Sequence, residues 1–263
     1  MSAVETTAPE PIRGLLEPLR DGKFKFACHP GVPCFTECCR DLKLLLTPYD
    51  IMQLKNHLGM DARSFLDRYT ETVFDEQRRL PMIHLKMQEN ERKSCPFVSP
   101  AGCTVYSGRP SACRIYPLAR ASRVHRAHGT VIEDYFVLHE SHCAGFEEDR
   151  VWNVREWLGD QGLIACNAMN NQWMEIVTHP RLLRGNPLSA KQQQMFFLAG
   201  YNMDQFRDFV LKSRFLSIFE LTPEEIEGLT ESDDHLLSVA FRWLKFALLN
   251  EPELKMRNAS AAP

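Results

Sequence analysis

Along this chain the spacing of hydrophobic positions changes from helical to alternating and back to helical. The stretch LTPYDIMQLKNHLGM, residues 46–60, carries start and stop signals of a helix. Thr47 is placed to cap, Pro48 suits the first helical position, Asp50 favours the positive end and Gly59 can end the run. A short helix is predicted there. A second is predicted from Asp61 to about Phe74, with Phe65, Leu66, Tyr69 and Val73 on one face. The pattern then alternates. In PMIHLKMQ, residues 81–88, Met82, His84 and Lys86 stand opposite Ile83, Leu85 and Met87, as in a half-buried strand, and VIEDYFVLH, residues 131–139, predicts another. Between them CPFVSPAGCTVYSGRPSACRIYPL is rich in Pro and Gly and reads as loop.

Beyond about residue 150 helical spacing dominates. Helices are predicted from Asn153 to about Val177, from Ala190 to Gly200 and from Met203 to Phe219. A capping box, Thr222-Pro-Glu-Glu225, begins a further short helix, and SDDHLLSVAFRWLKFALL forms a last amphipathic one. The expected fold class is α+β: a cysteine-rich, loop-dominated module with a small antiparallel sheet, packed on a mostly helical C-terminal half. Its expected parts are a flexible leader over 1–20, the cysteine module over 21–150, the helical half over 151–255 and a frayed tail over 256–263.

Composition narrows the function. At 263 residues the chain is long enough to bury a core without disulfide staples, and a net charge of -3 gives no basic footprint for nucleic acid. MSAVETTAPEPIRG shows no signal-peptide pattern, and there is no apolar run of the ~18 residues that a membrane-spanning helix needs. The expected location is the cytoplasm, with no membrane and no nucleic-acid partner. Thiols are kept reduced there, so the nine cysteines point to metal binding or catalysis rather than to disulfides.

Cys28, Cys34, Cys38, Cys39, Cys95, Cys103, Cys113 and Cys143 lie mostly in Gly, Pro and polar surroundings, whereas Cys166 sits on a helical face as a small core residue. Thiolates are soft ligands that select zinc, copper(I) or iron–sulfur units, and loops let several sulfurs converge. Eight sulfurs allow two four-sulfur sites, or one cluster with spare thiols for redox or catalytic work. The gaps of five, three and none, then seven and nine, contain no C-x2-C knuckle of the common zinc-ribbon kind. Adjacent Cys38 and Cys39 cannot easily serve one ion from consecutive positions, which favours an iron–sulfur unit or two metals.

The run C-x5-C-x3-CC, followed by CPFVSPAGCTVY, GRPSACRIYPL and HCAGF, resembles the YkgJ-type CxxCxxCC cysteine-cluster family from about Phe26 to Phe146. That family comprises zinc- or iron-chelating proteins and includes flagellin lysine N-methylases. The resemblance implies a metal-chelating module that holds iron, as an iron–sulfur cluster, or zinc through up to eight thiolates. It also implies two alternatives: an S-adenosylmethionine-dependent lysine N-methylase acting on a protein substrate, and a structural zinc module for protein contacts.

Other residues are secondary candidates. His29 and His142 adjoin cysteines and could replace a sulfur as ligand, while His125, His128 and His139 read as surface or strand residues. Arg109 and Arg114 flank Cys113 and could offset thiolate charge or bind an acidic cofactor or substrate. The basic stretch RASRVHRAH, residues 120–128, lacks interleaved aromatics and reads as a solvated hairpin tip. Phosphate-loop, G-x-S-x-G and H-E-x-x-H motifs are absent, so the NTPase, α/β-hydrolase and zincin classes have no support.

Overall fold

In the computed structural model, which describes residues 15–19, 21–75, 79–124 and 131–257, the segment VIEDYFVL, expected as a strand, becomes a central strand. Val131–Leu138 lies between Leu16–Pro18 and Leu118–Val124 in an antiparallel sheet, with Leu118 opposite Val137 and Leu16 opposite Leu138. A second pairing joins Lys23–Lys25 to Val151–Asn153 and sets Phe24 opposite Trp152. Phe24, Phe26, Leu118, Val137, Trp152 and Trp157 form the core beneath these strands. Its rings meet edge-on: Trp157 stands at 84° to Phe24 and at 90° to Phe26. Both indole N–H groups find carbonyls, Trp152 donating to Phe26 at 2.9 Å and Trp157 to Ile115 at 3.0 Å. These elements belong to one compact unit, which runs up to Leu42 and includes Glu89–Thr104 and Ser111–Ile164.

Lys43–Gln88, Val105–Pro110 and the chain from Ala165 onward make a second unit. Its sheet is ordered Leu45–Leu46, Pro81–Leu85, Thr70–Phe74, and the alternation read in PMIHL buries Pro81, Ile83 and Leu85. The helix expected to reach Phe74 stops at Tyr69, and Thr70–Phe74 is a strand. Thr70, Thr72 and Val73 are β-branched, and pairing with Pro81–Leu85 supplies a full ladder of partners that helical continuation would forgo. Two long helices are also divided. The one expected over 153–177 becomes Val154–Asp160 and Leu163–Val177, separated at Gly162, whose φ of +64 suits glycine. The one expected over 203–219 becomes Met203–Lys212 and Phe215–Ile218, parted at Ser213, whose backbone is extended and whose Oγ accepts the Phe215 N–H at 3.1 Å in competition with helical continuation.

Caps behave as read. Thr47 Oγ1 accepts the Asp50 N–H at 3.2 Å while Asp50 accepts the Thr47 N–H at 3.0 Å, so Pro48–Leu58 starts in a capping box. Thr222 and Glu225 form the same box before Pro223–Glu231. The last helix, Asp233–Leu244, continues as a π-helical turn over Lys245–Leu249. No described helix is long and apolar enough to cross a membrane. The expectations for residues 1–14 and 258–263, and for His125 and His128, lie outside the described residues.

A buried ion network ties this helical unit together. Lys55 Nζ, whose side chain is 6% exposed, lies 3.2 Å from Asp233 and 3.4 Å from Asp204. Asn56 donates to Asp233 at 2.8 Å, Arg207 pairs with its other oxygen, and Asp204 accepts the Ala62 N–H at 2.6 Å. Burial alone would raise the Asp233 pKa; hydrogen bonds from Asn56 and Arg207 and the Lys55 charge outweigh it and hold the carboxyl below its ordinary value. Its contribution is therefore present above an unfolded-state pKa of about 4 and is lost as the pH falls through the lower folded value. Asp233→Asn should cost about 3 kcal/mol at neutral pH, read by urea denaturation, with the gap to the parent narrowing below about pH 4. Tyr201 offers a contrary case, because its hydroxyl is fully buried without a hydrogen-bond partner. Tyr201→Phe should leave thermal stability unchanged or raise it by up to about 1 kcal/mol, and a clear loss would contradict this.

Candidate metal centre

All eight loop cysteines fall in the first unit. The segment that carries four of them is a chain of tight turns, closed by Val32 N–H to His29 O, Phe35 N–H to Val32 O, Glu37 N–H to Cys34 O and Cys39 N–H to Thr36 O, at 2.9–3.0 Å. Thr36 takes φ +68 and opens the 3-10 turn Glu37–Cys39. Such a path turns successive side chains toward one side within a few residues, which a regular helix or strand cannot do.

The second cysteine block is fastened to the first through the backbone. Cys95 N–H donates to Cys39 O at 2.9 Å, Asp41 N–H to Lys93 O at 3.0 Å, and Arg40 and Ser94 form an isolated bridge. Cys103 comes from the small hairpin of Val98–Ser99 and Gly102–Cys103, where Val98 faces Cys103. Gly102 has φ +112, and a Cβ there would stand 3.0 Å from the Phe35 ring, so this turn requires glycine. Cys113 lies on the short helix Ser111–Ile115. Ion pairs surround the assembly: Glu37 with Arg92 at 2.8 Å and with Arg40, and Asp41 with Lys93 at 3.1 Å.

Electrostatics show which sulfurs share space. Cys38 is pulled down to about 7, chiefly by a hydrogen bond from Cys39, against burial and the Glu140 charge. Cys39 is pushed up by that same bond, by burial and by the charges of Cys38, Cys95 and Cys113. Cys95 is pushed up by burial first and then by Cys103 and Cys38, despite backbone donors at Phe97 and Val98. Cys38, Cys39 and Cys95 are thus linked by charge, with Cys103 acting on Cys95 and Cys113 acting on Cys39.

Cys34 and Cys143 form another. The Ala144 N–H donates to Cys34 Sγ at 3.2 Å, and the two thiols interact. Burial is the main cause that pushes the Cys143 thiol up. The Tyr116 hydroxyl, buried without a partner at ordinary hydrogen-bond length, keeps company with Cys143 and Glu140; burial, then Cys143, push it far up. Cys143 itself packs against the aromatic core. Gly145 holds this loop close, since a Cβ would come within 2.7 Å of the Ala27 carbonyl oxygen. Tyr116 was not singled out in the sequence; its only cue there is the Tyr-Pro that follows Cys113.

The remaining candidates are placed as follows. Cys28 is exposed. His29 Nε2 lies 3.2 Å from Glu148, His142 Nε2 lies 3.8 Å from Glu140 and His139 Nε2 lies 3.0 Å from Glu17. Arg114 donates to Gln161 O at 3.1 Å. Arg109 belongs to the helical unit, donates to Tyr106 O at 2.8 Å and lies 3.6 Å from the centre of the Tyr106 ring. Cys166 is buried in the helical unit, as a core residue.

In kind, the thiol-rich donor set suits a soft ion such as zinc or iron. In position, no three His, Cys, Asp or Glu side chains among the described residues are arranged to hold one metal ion. A metal ion held here would need the thiols to converge further than they do in this arrangement.

Residues 27–144 match the CxxCxxCC family model, described as a "putative zinc- or iron-chelating domain", the family that the cysteine pattern resembles. No curated protein and no solved structure matches the chain.

A thiol pair that shares one proton ionises in two separated steps. In metal-free protein, alkylation followed against pH should show one thiol ionising at about 7, assigned to Cys38 by peptide mapping. Cys39→Ala should move that midpoint upward toward the ordinary thiol value, since the donor that stabilises the thiolate is gone.

Proposed function

We propose that the CxxCxxCC domain chelates zinc or iron through thiolates, with Cys38, Cys39, Cys95, Cys103 and Cys113 as its binding set. The observation that carries this reading is the Cys95 N–H to Cys39 O bond at 2.9 Å, which brings the two cysteine blocks together, and the charge effects among their thiols agree with it. Burial and neighbouring thiolate charge make most of these protons costly to release alone, and a bound cation would supply the opposing charge that offsets this cost. Zinc would take four of them as a tetrahedral structural site, and iron would take them as ligands of an iron–sulfur unit. The family description supports the zinc-or-iron choice. Adjacent Cys38 and Cys39, and a set larger than four, favour the iron–sulfur form or two metals over one zinc ribbon.

Anaerobically purified full-length protein should contain stoichiometric zinc or iron, and the iron–sulfur form should be brown. Cys39→Ser and Cys95→Ser should each lose at least about tenfold in metal affinity, while Cys166→Ala keeps the parent's metal content. Affinity should fall as the pH drops below about 7, because each ligand must release its proton. Parent protein that carries no metal under these conditions would contradict the proposal.

A further inference from the structure

Three of the eight sulfurs, Cys28, Cys34 and Cys143, lie outside the proposed binding set, and two of these, Cys34 and Cys143, lie beside one another. Cys34 and Cys143 are separated by more than a hundred residues yet interact directly, and the amide that follows Cys143 donates to Cys34 Sγ at 3.2 Å. Each sulfur has its own donor nearby: the Ala144 N–H at Cys34 and the Tyr116 hydroxyl at Cys143. The Tyr116 hydroxyl is buried, makes no hydrogen bond of ordinary length and lies near Cys143 and Glu140, within reach of a sulfur that becomes charged. Both cysteines are half-buried and neither is sealed from solvent. The loop that presents Cys143 is held in place by the Ala27 N–H to Gly145 O bond at 3.0 Å and by the close approach at Gly145. Two sulfurs fall short of the three or four protein ligands of a thiolate metal site. Two neighbouring sulfurs, one bonded by the amide that follows the other and each with a donor nearby, have instead what a dithiol couple needs.

We propose that Cys34 and Cys143 form a reversible dithiol–disulfide couple, separate from the metal-binding set, whose oxidant is a low-molecular-weight disulfide of the glutathione class. One thiol releases its proton to water, and its thiolate attacks a sulfur of the small disulfide. A mixed disulfide forms, and one small thiolate leaves and takes up a proton. The second cysteine then loses its proton and attacks the protein sulfur of the mixed disulfide. The Cys34–Cys143 bond forms, the mixed disulfide breaks, and the second small thiolate leaves and is protonated. Two protein thiols are oxidised to one disulfide, and one small disulfide is reduced to two thiols. Tyr116 is a positioning residue that stabilises charge on Cys143 in the reduced state.

The test equilibrates the full-length, metal-loaded protein in glutathione redox buffers, quenches it in acid, alkylates the free thiols and maps disulfides by mass spectrometry without reduction. The Cys34–Cys143 peptide pair should exceed any other pairing by at least about tenfold, and the oxidised protein should keep its metal. Tyr116→Phe should shift the midpoint to a more negative potential, because the reduced form loses a donor; an unchanged midpoint would overturn the role given to Tyr116. A pair that stays reduced while other thiols oxidise, or metal released as the Cys34–Cys143 bond forms, would overturn the separate couple. If the parent proves metal-free, the linked peptide alone still decides the matter.

Discussion

Thiols crowded into one small volume cannot all ionise unless a cation joins them. Around Cys38 and Cys39 this constraint is explicit: the bond that lowers one thiol raises the other, and Cys95 and Cys113 add repulsion to Cys39. Without a metal the group therefore stays largely protonated and stores its capacity to bind as unreleased protons. With a metal, the same crowding becomes charge compensation. Tight turns, a main-chain bond and nearby ion pairs accompany the approach of these cysteines from distant parts of the chain.

The means are ordinary backbone chemistry. Successive tight turns from His29 to Cys39 gather one set of cysteines, and a main-chain bond from Cys95 to the Cys39 carbonyl brings the next block alongside. Glycine is required at Gly102, where the Cys103 hairpin turns against Phe35, and at Gly145, where the Cys143 loop meets Ala27. An aromatic core with edge-on contacts supports Cys143 from beneath. The Lys55–Asp233 network performs a comparable role in the helical unit, where its carboxylates and cations satisfy one another away from water.

Much of this was legible in the chain. The helix after Thr47 followed from its caps and the strand Pro81–Leu85 from alternation, and the cysteine blocks resemble the CxxCxxCC family whose model matches residues 27–144. Three features were not legible. Helical spacing over Asp61–Phe74 concealed a switch at Thr70, because Val73 satisfies both periods and only the pairing with Pro81–Leu85 decides between them. The breaks at Gly162 and Ser213 are local, and apolar spacing continues across them. The division of the sulfurs, with Cys34 beside Cys143 rather than with its near neighbours Cys38 and Cys39, depends on contacts across the fold that sequence distance does not encode.

X-ray absorption spectroscopy at the metal edge of anaerobically purified protein tests the central claim most directly. The account expects a first shell made of sulfur alone, at about 2.3 Å if the metal is zinc. A shell dominated by nitrogen or oxygen would contradict it.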